Sequence, residues 1–249
     1  MKITAIIPTY NEEKHIAEAI KSVSFADEIM VIDSFSTDKT VEIAKAFNIT
    51  FLQRKFDDFS SQKNYAIKKA KYNWVFILDA DERVTPELKK EILAVLISKT
   101  RKDAYWIYRT YHFMGKKIKY SGWQTDKVIR FFKRDLCKYN GKLVHEEIET
   151  KGNIGFLKNK LEHYSYNGFD HYITKLNQYA WFQAKALHKK GKKVNLFHIL
   201  IKPPFRFFKH YILRFGFLDG LPGFMIATMQ AYGVLTRYVK LWLLNRNLN

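Results

Sequence analysis

The chain is short of the features that would hold a small secreted protein together. It has one cysteine, Cys137, among 249 residues. No internal disulfide can form, so a packed core must hold the fold, and a reducing compartment suits it. Long apolar runs are missing too. The stretch from Gly220 to Thr236 carries no charge, but it falls short of the ~20 apolar residues a span needs and contains Pro222, Gln230 and three glycines. A transmembrane helix is therefore not expected. Nor is a secretory signal: Met1-Lys2 leads into Ile3–Pro8, too short an apolar run and without a small-residue cleavage site. Acid is scarce, with 24 Asp and Glu against 43 Lys and Arg, a formal charge of +19. Such an excess implies a polyanionic partner: nucleic acid, an anionic membrane or a phosphorylated substrate. Hydrophobic residues reach 47%, which excludes disorder as the default state.

What is present begins as an alternation of strand and helix patterns. Ile3–Pro8 is a short apolar run, read as a buried strand that Pro8 ends. Asn11 can cap a helix carrying Glu12 and Glu13 in its first turn and Ile16, Ile20 and Val23 at helical spacing. Glu28–Asp33, Ile49–Leu52 and Trp74–Leu78 read as further strands, with a helix reaching Phe47 and another over Ser61–Lys71. Pro86 suits a first helical position, followed by Leu88, Ile92 and Leu96. Alternation of this kind implies a parallel sheet with helices on its faces and ligands at the carboxyl ends of the strands. After about Lys102 the strands become aromatic and glycine-punctuated, and from about Gly168 the pattern is helical, with breaks at Pro203-Pro204 and Leu221-Pro222-Gly223.

Polar clusters fall at the predicted strand ends. Asp79-Ala80-Asp81-Glu82 follows Trp74–Leu78 directly. In an extended segment Asp79 and Asp81 would point the same way and suit a hard divalent cation that also holds phosphate oxygens. A solvated acidic turn capping the helix at Pro86 is the alternative. Pro8-Thr9-Tyr10-Asn11-Glu12 offers a flat ring for a base and hydrogen-bonding groups, or else a plain helix cap. Asp33, closing EIMVID, can accept from a base N–H or a ribose hydroxyl, or serve turn chemistry with Ser34–Asp38; for Asp38 the cap is preferred. Gln62 and Lys63 can meet a diphosphate, or begin a solvated helix. Val144-His145-Glu146-Glu147 pairs a common metal ligand with a potential general base, or forms an exposed edge strand.

Taken in order, IIPTYNEE (Ile6–Glu13), VIDSFSTDKT (Val31–Thr40), DAD (Asp79–Asp81) and VHE (Val144–Glu146) resemble the family 2 glycosyltransferases of the GT-A fold over about the first two thirds of the chain. QKNYAI (Gln62–Ile67), RFFKR (Arg130–Arg134), LEHYS (Leu161–Ser165), KLNQYA (Lys175–Ala180) and GFLDG (Gly216–Gly220) are similar to segments of the bacterial lipopolysaccharide-core β-glucosyltransferase group. The resemblance implies a Rossmann-like mixed sheet flanked by helices, with a catalytic domain over 1–167 (nucleotide-binding half 1–100, acceptor half 101–167) and a helical region over 168–249. It implies an inverting transfer of a hexose, glucose by the closer resemblance, from a UDP-sugar to a lipopolysaccharide-core or other lipid-linked envelope glycan. It further implies that Pro8, Thr9, Tyr10, Asn11, Glu12, Asp33, Gln62, Lys63, Asp79 and Ala80 hold the nucleotide sugar. Asp81, with His145, would ligate Mg²⁺ or Mn²⁺, and Glu146 or Asp126 would deprotonate the acceptor. A sugar nucleotidyltransferase would show a glycine-rich, arginine-containing phosphate loop after the first strand, and PTYNEE is not one. A non-catalytic binding module of the same fold would not need the intact acidic cluster.

From Phe182 to Asn249 twelve Lys and Arg residues accompany a single acid, Asp219, among many aromatic side chains. Lys202–Lys209 interleaves the two as interfacial helices do. Three readings compete here: anchorage on an anionic membrane surface, which is preferred; packing with a solvated basic face; and single-stranded nucleic-acid binding, which is not expected. A cytoplasmic enzyme, peripheral on the inner face of the cytoplasmic membrane, is the resulting expectation.

Overall fold

The computed structural model describes residues 1–141, 147–165 and 168–248. It opens with β1 (Ile3–Thr9), α1 (Ile16–Ser22), β2 (Glu28–Asp33), α2 (Thr40–Lys45), β3 (Thr50–Gln53), α3 (Phe59–Lys69), β4 (Trp74–Ile77), β5 (Glu82–Val84) and α4 (Pro86–Ile97). β6 (Ala104–Phe113), β7 (Lys116–Ile118), β8 (Lys127–Lys133), β9 (Cys137–Tyr139), β10 (Ile148–Thr150), β11 (Ile154–Phe156) and β12 (Leu161–His163) follow. The chain ends in α5 (Phe169–Lys189), α6 (Leu196–Leu200), α7 (Lys202–Phe208), a π-helical turn (Lys209–Leu213), a 3₁₀ turn (Gly216–Asp219) and α8 (Leu221–Asn245). Two compact units result, one of residues 1–109 and 126–163, the other of 110–125 and 164–249. The stretch read as an acceptor half thus divides between them.

In the first unit β3, β2, β1 and β4 run parallel, and β8 then β6 continue the sheet antiparallel. Strand alternation sends Ile3, Ala5 and Ile7 to one face, where they pack with α1 and α4 through Ile16, Ile20, Leu88 and Ile92. Ile6, Met30 and Ile32 face the other way, against Ala66 and Ile67 of α3. Local signals set the helix starts. Asp58 accepts from the Ser61 N–H at 2.8 Å, Thr85 accepts from the Leu88 N–H at 3.1 Å, and Pro86 takes the first turn of α4.

Two local expectations are corrected. β1 runs through Pro8 to Thr9: its pairing with β4 ends at Ile6, so the missing N–H of Pro8 costs that ladder nothing. Asn11 does not cap α1, which begins only at Ile16; it sits at φ +54° and its side-chain oxygen accepts from the Thr37 N–H at 2.8 Å. Asn tolerates this left-handed conformation better than most residues. The breaks expected at Pro203-Pro204 and Leu221-Pro222-Gly223 are present: helices α7 and α8 begin at Lys202 and Leu221, each with a proline in its first turn.

The second unit is built on α5 and α8, with Phe113, Ile118, Tyr172 and Ile226 in its core. Asp219, the lone acid of the basic tail, is buried and accepts from the Lys119 N–H (2.9 Å), the Tyr120 N–H (3.0 Å) and the Ser121 hydroxyl (2.9 Å). It therefore holds the 119–121 loop. The 3₁₀ turn and α8 approach so closely that a Cβ on Gly223 would lie 1.9 Å from the Gly216 carbonyl oxygen. Gly223→Ala is expected to destabilise the protein by about 2 kcal/mol or more, because backbone must move to admit the methyl group. An unchanged thermal midpoint for this variant would contradict the close packing.

His210 is buried, with Nδ1 2.7 Å from the Ser121 carbonyl oxygen. Burial pushes its pKa down to about 4; the Ser121 carbonyl opposes the shift, and Arg206, Arg214 and Lys209 add to it. The unfolded chain takes up this proton near the ordinary value of 6.5 and the folded chain does not. His210 thus contributes stability above pH 6.5 that is lost as pH falls toward 4, on the order of 3 kcal/mol in all. Urea unfolding across that window should show the loss, and His210→Gln should flatten it.

Candidate active site

The carboxyl ends of β1 and β2 are joined by a net of short contacts. Backbone N–H groups of Asn11, Glu12 and Glu13 donate to the side chains of Ser36 (2.9 Å), Thr40 (2.7 Å) and Asp38 (3.1 Å). Asp38 also accepts from the Thr40 N–H at 2.9 Å, a turn contact just ahead of α2, whose N-cap is Lys39 rather than Asp38; against the opposing effect of burial these bonds hold its carboxyl below the usual range. Asp33 is fully buried and accepts from the Ser36 N–H (3.0 Å), the Ser36 hydroxyl and Gln53 Nε2 (3.1 Å). Turn chemistry thus occupies much of its carboxylate. Tyr10 projects into solvent at the same edge, and the Thr9 hydroxyl is buried with no hydrogen-bond partner among the described residues. Gln62 is buried and donates to the Ser34 hydroxyl at 2.6 Å, so it braces the β2 loop from below.

The acidic cluster after β4 is a tight turn, not an extended segment: the Glu82 N–H donates to the Asp79 carbonyl at 2.9 Å. The alternation argument for convergence of Asp79 and Asp81 therefore does not apply, and the two carboxylates meet different partners. Asp79 is paired with Arg130 and lies 3.3 Å from Lys63 Nζ. Burial alone would raise its pKa, but Arg130, then Lys63 and Arg109, hold it far below the carboxylate range. Lys63 is only 4% exposed, and its ammonium also stands over the Tyr139 ring at 5.2 Å. Ala80 is buried and its carbonyl accepts from Arg83 at 2.8 Å.

Asp81 instead faces His163, with carboxylate oxygen and Nε2 3.3 Å apart and side chains 20% and 9% exposed. β12 and β5 pair antiparallel with His163 opposite Glu82, which brings this imidazole to the turn from a distant part of the sequence. LEHYS gave no chemical role to His163; its only sequence signal was the resemblance.

Glu82 is the buried centre of the cluster. It is 0% exposed and receives the Asp79 N–H at 3.0 Å, Arg130 at 2.8 Å and Arg109 at 3.4 Å. Arg109 also donates from Nε to Asp126 at 2.6 Å, and Asp126 is 35% exposed. The Arg109 guanidinium therefore links Glu82 to the candidate base Asp126. Sequence reading placed Glu82 in the acidic cluster without a role of its own, and it missed Arg109 and Arg130 as functional groups because nothing in strands β6 and β8 distinguishes them from solvated charges. His145 and Glu146 lie outside the described residues.

The family model described as glycosyl transferase family 2 matches residues 4–164. An uncharacterised glycosyltransferase of Rickettsia conorii, RC0292, is 30% identical over 96% of this chain and 89% of its own. LpsC of Rhizobium meliloti, a lipopolysaccharide core biosynthesis glycosyltransferase, is 27% identical over 95% of this chain and 90% of its own. Among solved structures, Staphylococcus aureus TarS 1–349 in complex with UDP aligns with a TM-score of 0.52 at 17% identity, covering 99% of this chain and 92% of that one. At that identity the likeness is one of fold, the mixed sheet and flanking helices of the GT-A arrangement.

Proposed function

The chain belongs to glycosyl transferase family 2, and we propose that it moves a hexose, glucose in the first instance, from a UDP-sugar to a lipopolysaccharide-core or other lipid-linked envelope glycan, with inversion at the anomeric carbon. The observation that carries this reading is the charge arrangement at the strand ends: Lys63 and Arg130 around Asp79, with Asp81 against His163 in the same turn. The likeness to LpsC over nearly the whole chain supports the envelope acceptor. UDP in the TarS complex supports the choice of nucleotide.

Each group then has a role. Tyr10 offers its exposed ring to the base, while Pro8, Thr9, Asn11, Glu12 and Asp33 shape the nucleoside pocket, with the Thr9 hydroxyl buried and available as a donor. Gln62 and Ala80 support that pocket rather than enter it. Lys63 exchanges its Asp79 contact for a diphosphate oxygen, and Asp79 accepts from the ribose. Asp81 and His163 would hold a divalent cation: one hard carboxylate oxygen and one imidazole nitrogen lie 3.3 Å apart, although the described residues contain no group of three such side chains placed to hold a metal ion. Bound there, Mg²⁺ or Mn²⁺ would supply Lewis-acid stabilisation of the leaving diphosphate. His163 is thus proposed as an imidazole ligand in addition to His145, which lies outside the described residues. Asp126 is engaged by Arg109, which suits a positioning contact, and the role of proton acceptor falls to Glu146, with Asp126 the alternative. The enzyme works at the inner face of the cytoplasmic membrane.

A thermal-shift panel of UDP-, GDP-, dTDP- and CMP-sugars, each with Mn²⁺, Mg²⁺ or EDTA, tests donor choice. A UDP-sugar should raise the midpoint only with metal present. An equal response to all four nucleotides, or none in folded protein, would remove the donor assignment.

A further inference from the structure

Five rings from four successive elements of the second unit and the link between two of them touch one another at its surface. Phe207 of α7 contacts Tyr211 of the π-helical turn (5.3 Å between centroids) and Phe224 of α8 (5.7 Å). Tyr211 contacts Phe217 of the 3₁₀ turn (6.3 Å) and Phe224 (5.7 Å), and Phe217 contacts Phe215 (6.2 Å). Phe215, Phe217 and Phe224 are 52%, 45% and 45% exposed, and Leu213, Leu218 and Leu221 extend the apolar surface. Phe215 holds a left-handed backbone, φ +55°, that a bulky residue adopts only under constraint. A continuous exposed apolar patch of this kind marks an interaction surface.

Charge identifies the partner. Beyond Asp170 the only acid in the sequence is Asp219, and its carboxylate is buried on loop amides, so no carboxylate from this region balances its cations at the surface. The cations crowd one another: Arg206 sits below the usual arginine range through burial, then through Arg214 and Arg237. A second copy of the chain would bring like charge to like. Nucleic acid would match the charge, but the exposed Leu213, Leu218 and Leu221 that extend the patch give bases nothing to stack on and suit acyl chains instead. No described helix is long and apolar enough to cross a membrane. We propose that the aromatic cluster of Phe207, Tyr211, Phe215, Phe217 and Phe224 inserts into the surface of an anionic phospholipid bilayer, with Lys209 and Arg214 at the headgroups. This inference rests on the transferase reading for its biological sense, and it gives that enzyme a specific face by which it meets a lipid-linked acceptor.

Co-sedimentation of the full chain with phosphatidylcholine vesicles, with and without phosphatidylglycerol, tests it. Wild type should bind the anionic vesicles at least about ten-fold more tightly than the neutral ones. The Phe217→Ser/Leu218→Ser/Leu221→Ser variant should lose about ten-fold or more of that binding, with an unchanged thermal midpoint and unchanged UDP release from a UDP-sugar in solution. Lys209→Glu, a single change at a half-buried position, should weaken it about ten-fold and, with an unchanged thermal midpoint, tests the inference even where the triple variant misfolds. Equal binding to neutral vesicles, or undiminished binding by Lys209→Glu and the folded triple variant, would overturn the proposal. So would self-association abolished by the triple variant without vesicles, or oligonucleotide binding as tight as vesicle binding. Vesicle binding without UDP release supports this surface and sinks only the transferase reading; UDP release without vesicle binding does the reverse.

Discussion

Asp81→Asn is expected to lower metal-dependent sugar transfer by at least about 100-fold while leaving the fold intact, with His163→Ala close behind. Losing even the outer partners of a metal ligand commonly costs 10–100-fold, and here a ligand itself is changed. The fold should survive Asp81→Asn because the Asp81 side chain is 20% exposed and the change is nearly isosteric, whereas His163 is buried and its truncation is expected to cost some stability as well. The two substitutions should not multiply, since each disables the same cation site. Turnover at saturating Mn²⁺ with a parallel thermal melt is the check. Near wild-type turnover in either folded variant would remove the pair from the mechanism.

Arg130→Met should do the opposite, striking stability first. Arg130 is buried between Asp79 and Glu82, and both carboxylates raise its affinity for its proton against the cost of burial. Removing the guanidinium leaves Glu82, fully buried, with Arg109 still 3.4 Å away. A stranded buried charge costs about 3–5 kcal/mol. Adding Glu82→Gln should recover part of the loss, because the amide is neutral and its oxygen still accepts from the Asp79 N–H. Urea unfolding of the two variants measures this. A loss under about 1 kcal/mol for Arg130→Met would mean that the cluster is solvated.

The parallel half of the sheet was legible because its signals are local. Trp74–Leu78 is buried apolar chain, Pro86 and Thr85 mark a helix start, and Glu28–Asp33 matches β2 residue for residue. The strand-end location of the polar clusters was legible for the same reason. What pairs with what was not. Asp79 meets Arg130 across 51 residues and Asp81 meets His163 across 82, and these contacts depend on antiparallel additions whose register no local pattern encodes. The turn at Asp79–Glu82 was misread as extended because an apolar run does not announce where its strand ends. GFLDG was visible only as a resemblance; its acid proves to be a loop brace, since its acceptors are filled by backbone N–H groups about a hundred residues earlier.

The most direct test of the account is UDP release from UDP-glucose by wild-type protein, with Mn²⁺ or EDTA, in the presence of lipid-linked glycan acceptor. The account predicts release and glycan labelling with the cation, and loss of both with EDTA and in Asp81→Asn. Release that persists equally in EDTA and in Asp81→Asn would contradict the assignment of Asp81 and His163 to a cation-assisted transfer.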